Sequence, residues 1–191
     1  MEKDLVLLKT LYNKSYSLYI EKKYEESLNL LNHTSEIWIE YSQRSRFLTL
    51  VGMNYFKLEK LEQAERALLE SIAIYPDNIK VLDLLGKIYY LQGRFIESEK
   101  AFLEAKKNDF YNFYFSIKTA KSAWKSGNFN RMFRRLKEGY IPQLISKKEE
   151  KKLKEFLLEV LHNGENPEAY EHIKKFRKWC YEKKLKQKNK K

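Results

Sequence analysis

The feature that most constrains this chain is a spacing of 34 residues between like side chains. Between Ile79 and Asn112, the residues Leu82, Leu85, Gly86 and Tyr89 are followed by Ser98 and Phe102. One period earlier the same places hold Leu48, Val51, Gly52, Tyr55, Ala64 and Leu68, with Pro76 at the close. One period later they hold Ser116, Thr119, Ala120, Ala123, Met132 and Leu136, and Gly93-Arg94-Phe95 becomes Gly127-Asn128-Phe129. Two insertion-free steps of one period are hard to obtain by chance in unrelated helices. A unit of this length cannot bury its apolar face alone and must stack on neighbours. Small residues at 52, 86 and 120 let two helices approach closely, while the large residues beside them fill the remaining space.

Leu82, Leu85, Gly86 and Tyr89 fall at the spacing W-x2-L-G-x2-Y with Leu in the tryptophan place, and Ser98 and Phe102 fall at A-x3-F with Ser for Ala. The stretch resembles the tetratricopeptide repeat, a helix–turn–helix unit. The resemblance implies an all-α solenoid of about four repeats over residues 8–140, divided as 8–44, 45–78, 79–112 and 113–140. Helices are expected at 4–21, 45–58, 61–75, 79–91, 95–107, 113–125 and 129–138. The first repeat is longer, and its excess is expected to extend its second helix through Ile37, Trp38 and Tyr41. Three prolines and six glycines leave few breaks, so helix is expected nearly throughout.

Beyond Tyr140 the period loosens. Ser146-Lys147-Lys148-Glu149 is a capping box that opens a helix carrying Leu153, Phe156, Leu157, Val160 and Leu161. Asn163-Gly164 stops it, and Asn166-Pro167 starts another with Ala169, Tyr170, Ile173, Phe176 and Cys180 on its apolar face. Residues 141–185 therefore read as a helix pair in the place of a fifth repeat, capping the fourth, with 186–191 a basic frayed tail.

The net charge of +12 is unevenly placed. Residues 1–110 carry 16 Lys+Arg against 17 Asp+Glu, and residues 111–191 carry 22 against 9. A neutral first part and a cationic second part point to an acidic partner. The single cysteine, Cys180, cannot form an internal disulfide, which fits a reducing compartment, and the chain is expected to be cytoplasmic. The apolar run Leu5–Leu8 is too short for a secretory segment, and no stretch approaches a membrane span. Peripheral membrane contact stays compatible with the charge, and oligomeric state is left open.

No catalytic constellation is visible, so an enzyme is not expected. His33, His162 and His172 have no metal-ligand spacing with one another or with Cys180, and no metal or cofactor is expected. No phosphate loop or nucleophile elbow occurs. Recognition is the chemistry that remains. The resemblance implies a concave groove lined by the first helix of each repeat, holding a peptide segment. The lining read from the face opposite Leu85 and Gly86 includes Tyr12, Tyr16, Arg46, Met53, Phe56, Lys80, Lys87, Tyr90, Tyr114, Lys121 and Trp124. These are aromatics interleaved with cations, which favour an acidic and apolar protein segment. Lys87 and Tyr90 recur one period on as Lys121 and Trp124, so these pairs are the expected anchors.

One branch of the family grips a chaperone C-terminal carboxylate with Lys, Asn and Arg. Here those places hold Tyr12, Tyr16, Leu50 and Leu84, with Lys80 the one match, so that ligand is not expected. The leading reading is a non-enzymatic adaptor or scaffold for protein–protein interaction. A second reading is nucleic-acid binding by a basic face of Arg131, Arg134, Arg135, Lys174, Lys175, Arg177 and Lys178, with Trp179 and Tyr181 able to stack on bases. A third is a scaffold or chaperone in secretion or envelope assembly, its basic tail against anionic lipid.

Overall fold

In the computed structural model, residues 2–32, 41–163 and 167–188 are described, and among them are ten α-helices and no strand. In order these are α1 (Glu2–Ile20), α2 (Tyr24–Asn32), α3 (Tyr41–Lys57), α4 (Leu61–Ile74), α5 (Ile79–Leu91), α6 (Phe95–Asn108), α7 (Phe113–Lys125), α8 (Phe129–Gly139), α9 (Lys147–Asn163) and α10 (Pro167–Lys188). From α4 to α8 each bound lies within one residue of the one the period predicts. Two expectations change. Tyr41 opens α3 instead of closing α2, while Ile37, Trp38 and His33 lie outside the described residues. α10 runs to Lys188, into the stretch expected to fray, because the run after Pro167 contains no helix breaker and is rich in Lys, a good helix former.

Four hairpins turn on one backbone device. The amide of Lys23 donates to the Leu18 carbonyl at 2.9 Å, Lys60 to Tyr55 at 3.0 Å, Arg94 to Tyr89 at 2.8 Å and Asn128 to Ala123 at 3.0 Å. The residue before each donor is left-handed: Lys22 at φ 64°, Glu59 at φ 59°, Gly93 at φ 76° and Gly127 at φ 79°. This is the Schellman arrangement, in which a left-handed residue returns two amides to the orphan carbonyls of a helix end. The sequence shows it openly only at the two glycines.

The chain forms two compact units, Met1–Ile88 and Tyr89–Lys191. In the first, Leu8, Leu31, Phe47 and Leu50 make a small core with Tyr12, Tyr19 and Val51 against it. Small residues let α3 and α4 meet closely. A Cβ on Gly52 would fall 2.6 Å from Leu68 Cγ, which explains the glycine at that place in the period. Hydroxyls tie the same pair, with Thr49 Oγ1 and Ser71 Oγ at 2.8 Å. Asn54 donates to Ser27 Oγ at 3.0 Å, joining α3 to α2.

In the second unit, α7 to α10 share one apolar core. Phe113, Ile117, Trp124, Met132, Leu136, Phe156, Leu157, Ile173 and Phe176 all belong to it. Ser98 and Ser122 meet at 2.9 Å between α6 and α7. Glu99 of α6, only 4% exposed, takes an ion pair from Arg131 Nε at 3.0 Å and a hydrogen bond from Arg135 Nε at 2.9 Å, both on α8. The capping box forms as the sequence predicts: the Glu149 amide donates to Ser146 Oγ at 3.2 Å and the Ser146 amide donates to Glu149 Oε2 at 2.9 Å.

Candidate interaction surfaces

On the first unit, α1 and α3 present the aromatic and cationic side chains that helical spacing puts on one side. Tyr12 stacks on Tyr16 with ring centroids 6.3 Å apart, and Tyr16 stacks on Tyr19 at 6.2 Å. Arg46 of α3 lays its guanidinium 4.9 Å from the Tyr12 ring centroid, and Phe47 meets the same ring edge-on at 5.3 Å. Beside them is a cleft of about 310 Å³ lined by Leu5, Val6, Lys9, Tyr12, Asn13, Gln43, Arg46 and Phe47. Lys9 and Arg46 are exposed, and neither has a carboxylate within ion-pair distance among the described residues. The cleft therefore combines an apolar floor with two available cations.

The other predicted lining residues of this unit differ in kind. Met53 is 6% exposed and belongs to the interior, so it is withdrawn from the lining. Phe56 is half-buried and Lys80 exposed. Lys87 is paired with Asp83 one helical turn back, so its charge is already balanced.

On the second unit, Tyr90, Lys121 and Glu159 form a row contributed by α5, α7 and α9. Lys121 Nζ lies 2.6 Å from Glu159 Oε2 and 5.8 Å from the Tyr90 ring centroid. Lys152 of α9 and Lys118 of α7 sit over the Tyr114 ring at 4.9 Å and 5.4 Å. Both interhelical contacts, 114 with 152 and 121 with 159, have an offset of 38 residues, so α7 and α9 run parallel. Trp124 is 8% exposed and meets Phe156 at 5.9 Å in a T-shaped contact. It is a core residue, and its expected role as an exposed anchor is corrected: α9 covers it. Glu159 was missed because its partner stands 38 residues away, not one period of 34.

Burial and the neighbouring Glu159 charge push the Tyr90 hydroxyl up from 10.0 to about 12. Its folded value is raised, so its contribution to stability is fully present below about pH 10 and is lost as pH rises through about 12. Spectrophotometric alkaline titration of the parent and of Tyr90→Phe is expected to show one late-ionising tyrosine missing from the variant. Glu159→Gln should move that ionisation part of the way back, and an unmoved curve would remove Glu159 as a cause.

The basic residues also separate by partner. Arg131 and Arg135 are committed to Glu99, and Arg135 also donates to Glu138 at 3.2 Å, so these two form an internal clamp and not a free surface. Arg134 is exposed, 3.7 Å from Glu138. Lys174, Lys175, Arg177 and Lys178 are exposed on α10. Trp179 is half-buried, stacked on Phe176 at 6.0 Å with Lys137 and Lys183 at 5.7 Å and 5.4 Å from its ring centroid. The two described histidines have packing contacts: His162 Nδ1 is 2.8 Å from the Leu158 carbonyl, and His172 stacks on Phe133 at 5.5 Å. Burial pushes the Cys180 thiol up to about 11, against the lowering effect of its hydrogen bond with Tyr140, so it is a poor nucleophile at neutral pH.

Paired antiparallel helices, repeated Schellman turns and small residues at the helix contacts define a helix–turn–helix repeat protein of the tetratricopeptide type. Residues 45–78 match the family model of the tetratricopeptide repeat. Solved structures of MamA share the fold. One covers 77% of this chain and 81% of its own at a TM-score of 0.65 and 16% identity. The MamA RS-1 double mutant covers 90% and 93% at a TM-score of 0.69 and 12% identity. Among curated proteins, the human protein O-mannosyl-transferase TMTC2 is 30% identical over 99 residues, which is 52% of this chain. The match spans only 12% of that protein's length. Among the described residues, no helix is long and apolar enough to cross a membrane.

Proposed function

We propose that this chain is a non-enzymatic adaptor or scaffold that holds a segment of a protein partner, and that the cleft between α1 and α3 is where selection occurs. The observation that carries the reading is that Lys9 and Arg46 border an apolar floor without a carboxylate partner among the described residues. Arg46 is held over Tyr12, which fixes its guanidinium while leaving its edge donors for an incoming carboxylate. The preferred segment therefore carries an acidic group next to an apolar side chain. Tyr90 and Tyr114 stand beside cations that are balanced or ring-stacked, so they are suited to adding contact area instead of selecting charge. On this reading α9 and α10 close the repeat array.

A displayed peptide library screened on the full chain is expected to return segments combining Asp or Glu with an aliphatic or aromatic residue. For such a peptide, calorimetry should show Lys9→Glu with Arg46→Glu weakening binding by about 2 kcal/mol or more. Enrichment of basic sequences, or undiminished binding by the double variant, would overturn this placement.

A further inference from the structure

We infer that the outer face of α10 is a binding surface for single-stranded nucleic acid. The buried face of this helix is set by Ala169, Ile173 and Phe176. At about 100° per residue, one exposed side, centred roughly 120° around the helix from that buried face, carries Tyr170, Lys174, Arg177, Lys178, Tyr181 and Leu185. No carboxylate interrupts that stripe; Glu171 and Glu182 fall on its flank. The stripe extends roughly 22 Å along the axis, enough for a site of about four nucleotides.

Pairing separates these cations from four others of the second unit, and alignment beside two exposed tyrosines separates them from unpaired lysines such as Lys147 and Lys148. Arg131 and Arg135 are held by Glu99, Lys121 by Glu159 and Lys184 by Glu150 at 2.6 Å. Among the described residues, Arg177 and Lys178 have no carboxylate within ion-pair distance, and Lys174 has only the exposed Glu171 at 3.8 Å. Three cations in line on one helix are a minimal track for a phosphate chain.

The tyrosines indicate what accompanies the phosphates. Tyr170 is 60% exposed, one helical turn before Lys174, and Tyr181 is 64% exposed, one turn after Arg177 and Lys178. Neither ring is stacked on another aromatic of the chain among the described residues, so their faces are open to bases. Trp179, by contrast, is occupied by Phe176 and two lysines, so Tyr170 takes the exposed aromatic place expected of it. A bilayer contact fits this face less well, because Leu185 is its single aliphatic side chain and nothing else on it would enter hydrocarbon.

Fluorescence anisotropy of the full chain with a labelled oligouridine of about twenty nucleotides tests the assignment. With three phosphates contacted, affinity should fall about twenty-fold between about 50 and about 200 mM salt. Replacing Lys174, Arg177 and Lys178 by Gln should remove most of the binding and flatten the salt dependence. Tyr170→Ala with Tyr181→Ala should weaken binding about ten-fold or more with the salt slope unchanged. Gln at Lys147, Lys148 and Lys151, exposed on α9, is the charge-matched control and should bind as the parent does. All these positions are exposed, and equal melting midpoints would exclude misfolding. Absence of oligouridine binding, equal loss in the control, or full affinity in the tyrosine variant would overturn the proposal. So would binding of phosphatidylserine vesicles through the same residues without binding of oligouridine.

Discussion

Glu99→Gln is expected to destabilise the second unit by about 3 kcal/mol, the scale found when one partner is removed from a buried ion pair. The substitution keeps the size of the side chain and removes only its charge. It leaves Arg131 and Arg135 facing a neutral amide, with the Arg135 side chain 17% exposed and poorly placed to regain water. Arg134→Gln removes an arginine from the same helix, but its side chain is 62% exposed and its ion pair is long, so about 0.5 kcal/mol or less is expected. Denaturant titration of the two variants beside the parent separates the cases. A combined Glu99→Met, Arg131→Leu, Arg135→Met chain should recover much of the loss, because replacing a buried ionic cluster with apolar residues is often neutral or better. Should Glu99→Gln prove as stable as the parent, the clamp contributes nothing and Arg131 and Arg135 return to the list of surface cations.

Gly139→Ala is expected to cost about 1–3 kcal/mol or more, although alanine is the better helix former by about 1 kcal/mol. An added Cβ would lie 1.8 Å from Ser116 Oγ and 2.6 Å from Ser116 Cβ, on a residue that is fully buried. Gly139 is not among the positive-φ positions, so the backbone accepts alanine and the effect isolates the close approach of α8 to α7. Ser116→Gly opens the facing space, and the two changes together should cost less than the sum of each alone. Thermal unfolding of the four chains of that cycle reads the coupling directly. Stabilisation by Gly139→Ala would show that α7 and α8 do not meet at this distance.

Gly139 also marks where reading by period stops. Gly52 was legible because it recurs in register, and the contact with Leu68 accounts for it. At the place of Gly139 the period holds Ser71 and Ala105, so it marks a small residue there, but the need for glycine itself comes from a contact visible only once α7 and α8 are folded together. The interaction surfaces divide in the same way. Helical spacing placed Tyr12 and Arg46 on facing sides of α1 and α3, and the structure joins them. The same spacing put Trp124 and Met53 on that side, yet spacing gives a direction and not what arrives to cover it. Phe156 covers Trp124 because α9 lies alongside α7 at an offset of 38 residues. That offset also brings Glu159 to Lys121, an electrostatic balance no single repeat contains.

The four hairpin tips differ in their left-handed residue: Lys22 and Glu59 in the first unit, Gly93 and Gly127 in the second. A non-glycine residue there bears about 1 kcal/mol or more of backbone strain. Glycine avoids the strain but has a more diverse unfolded state, which costs roughly 0.5–1 kcal/mol on folding. The opposing effects are of similar size, so the two kinds of tip are close to isoenergetic. Selection then has little grip on residue identity at a tip, and substitutions between glycine and a long polar side chain drift nearly neutrally. The geometry of the turn is inherited through its amides and carbonyls, while the letters that spell it are free to change.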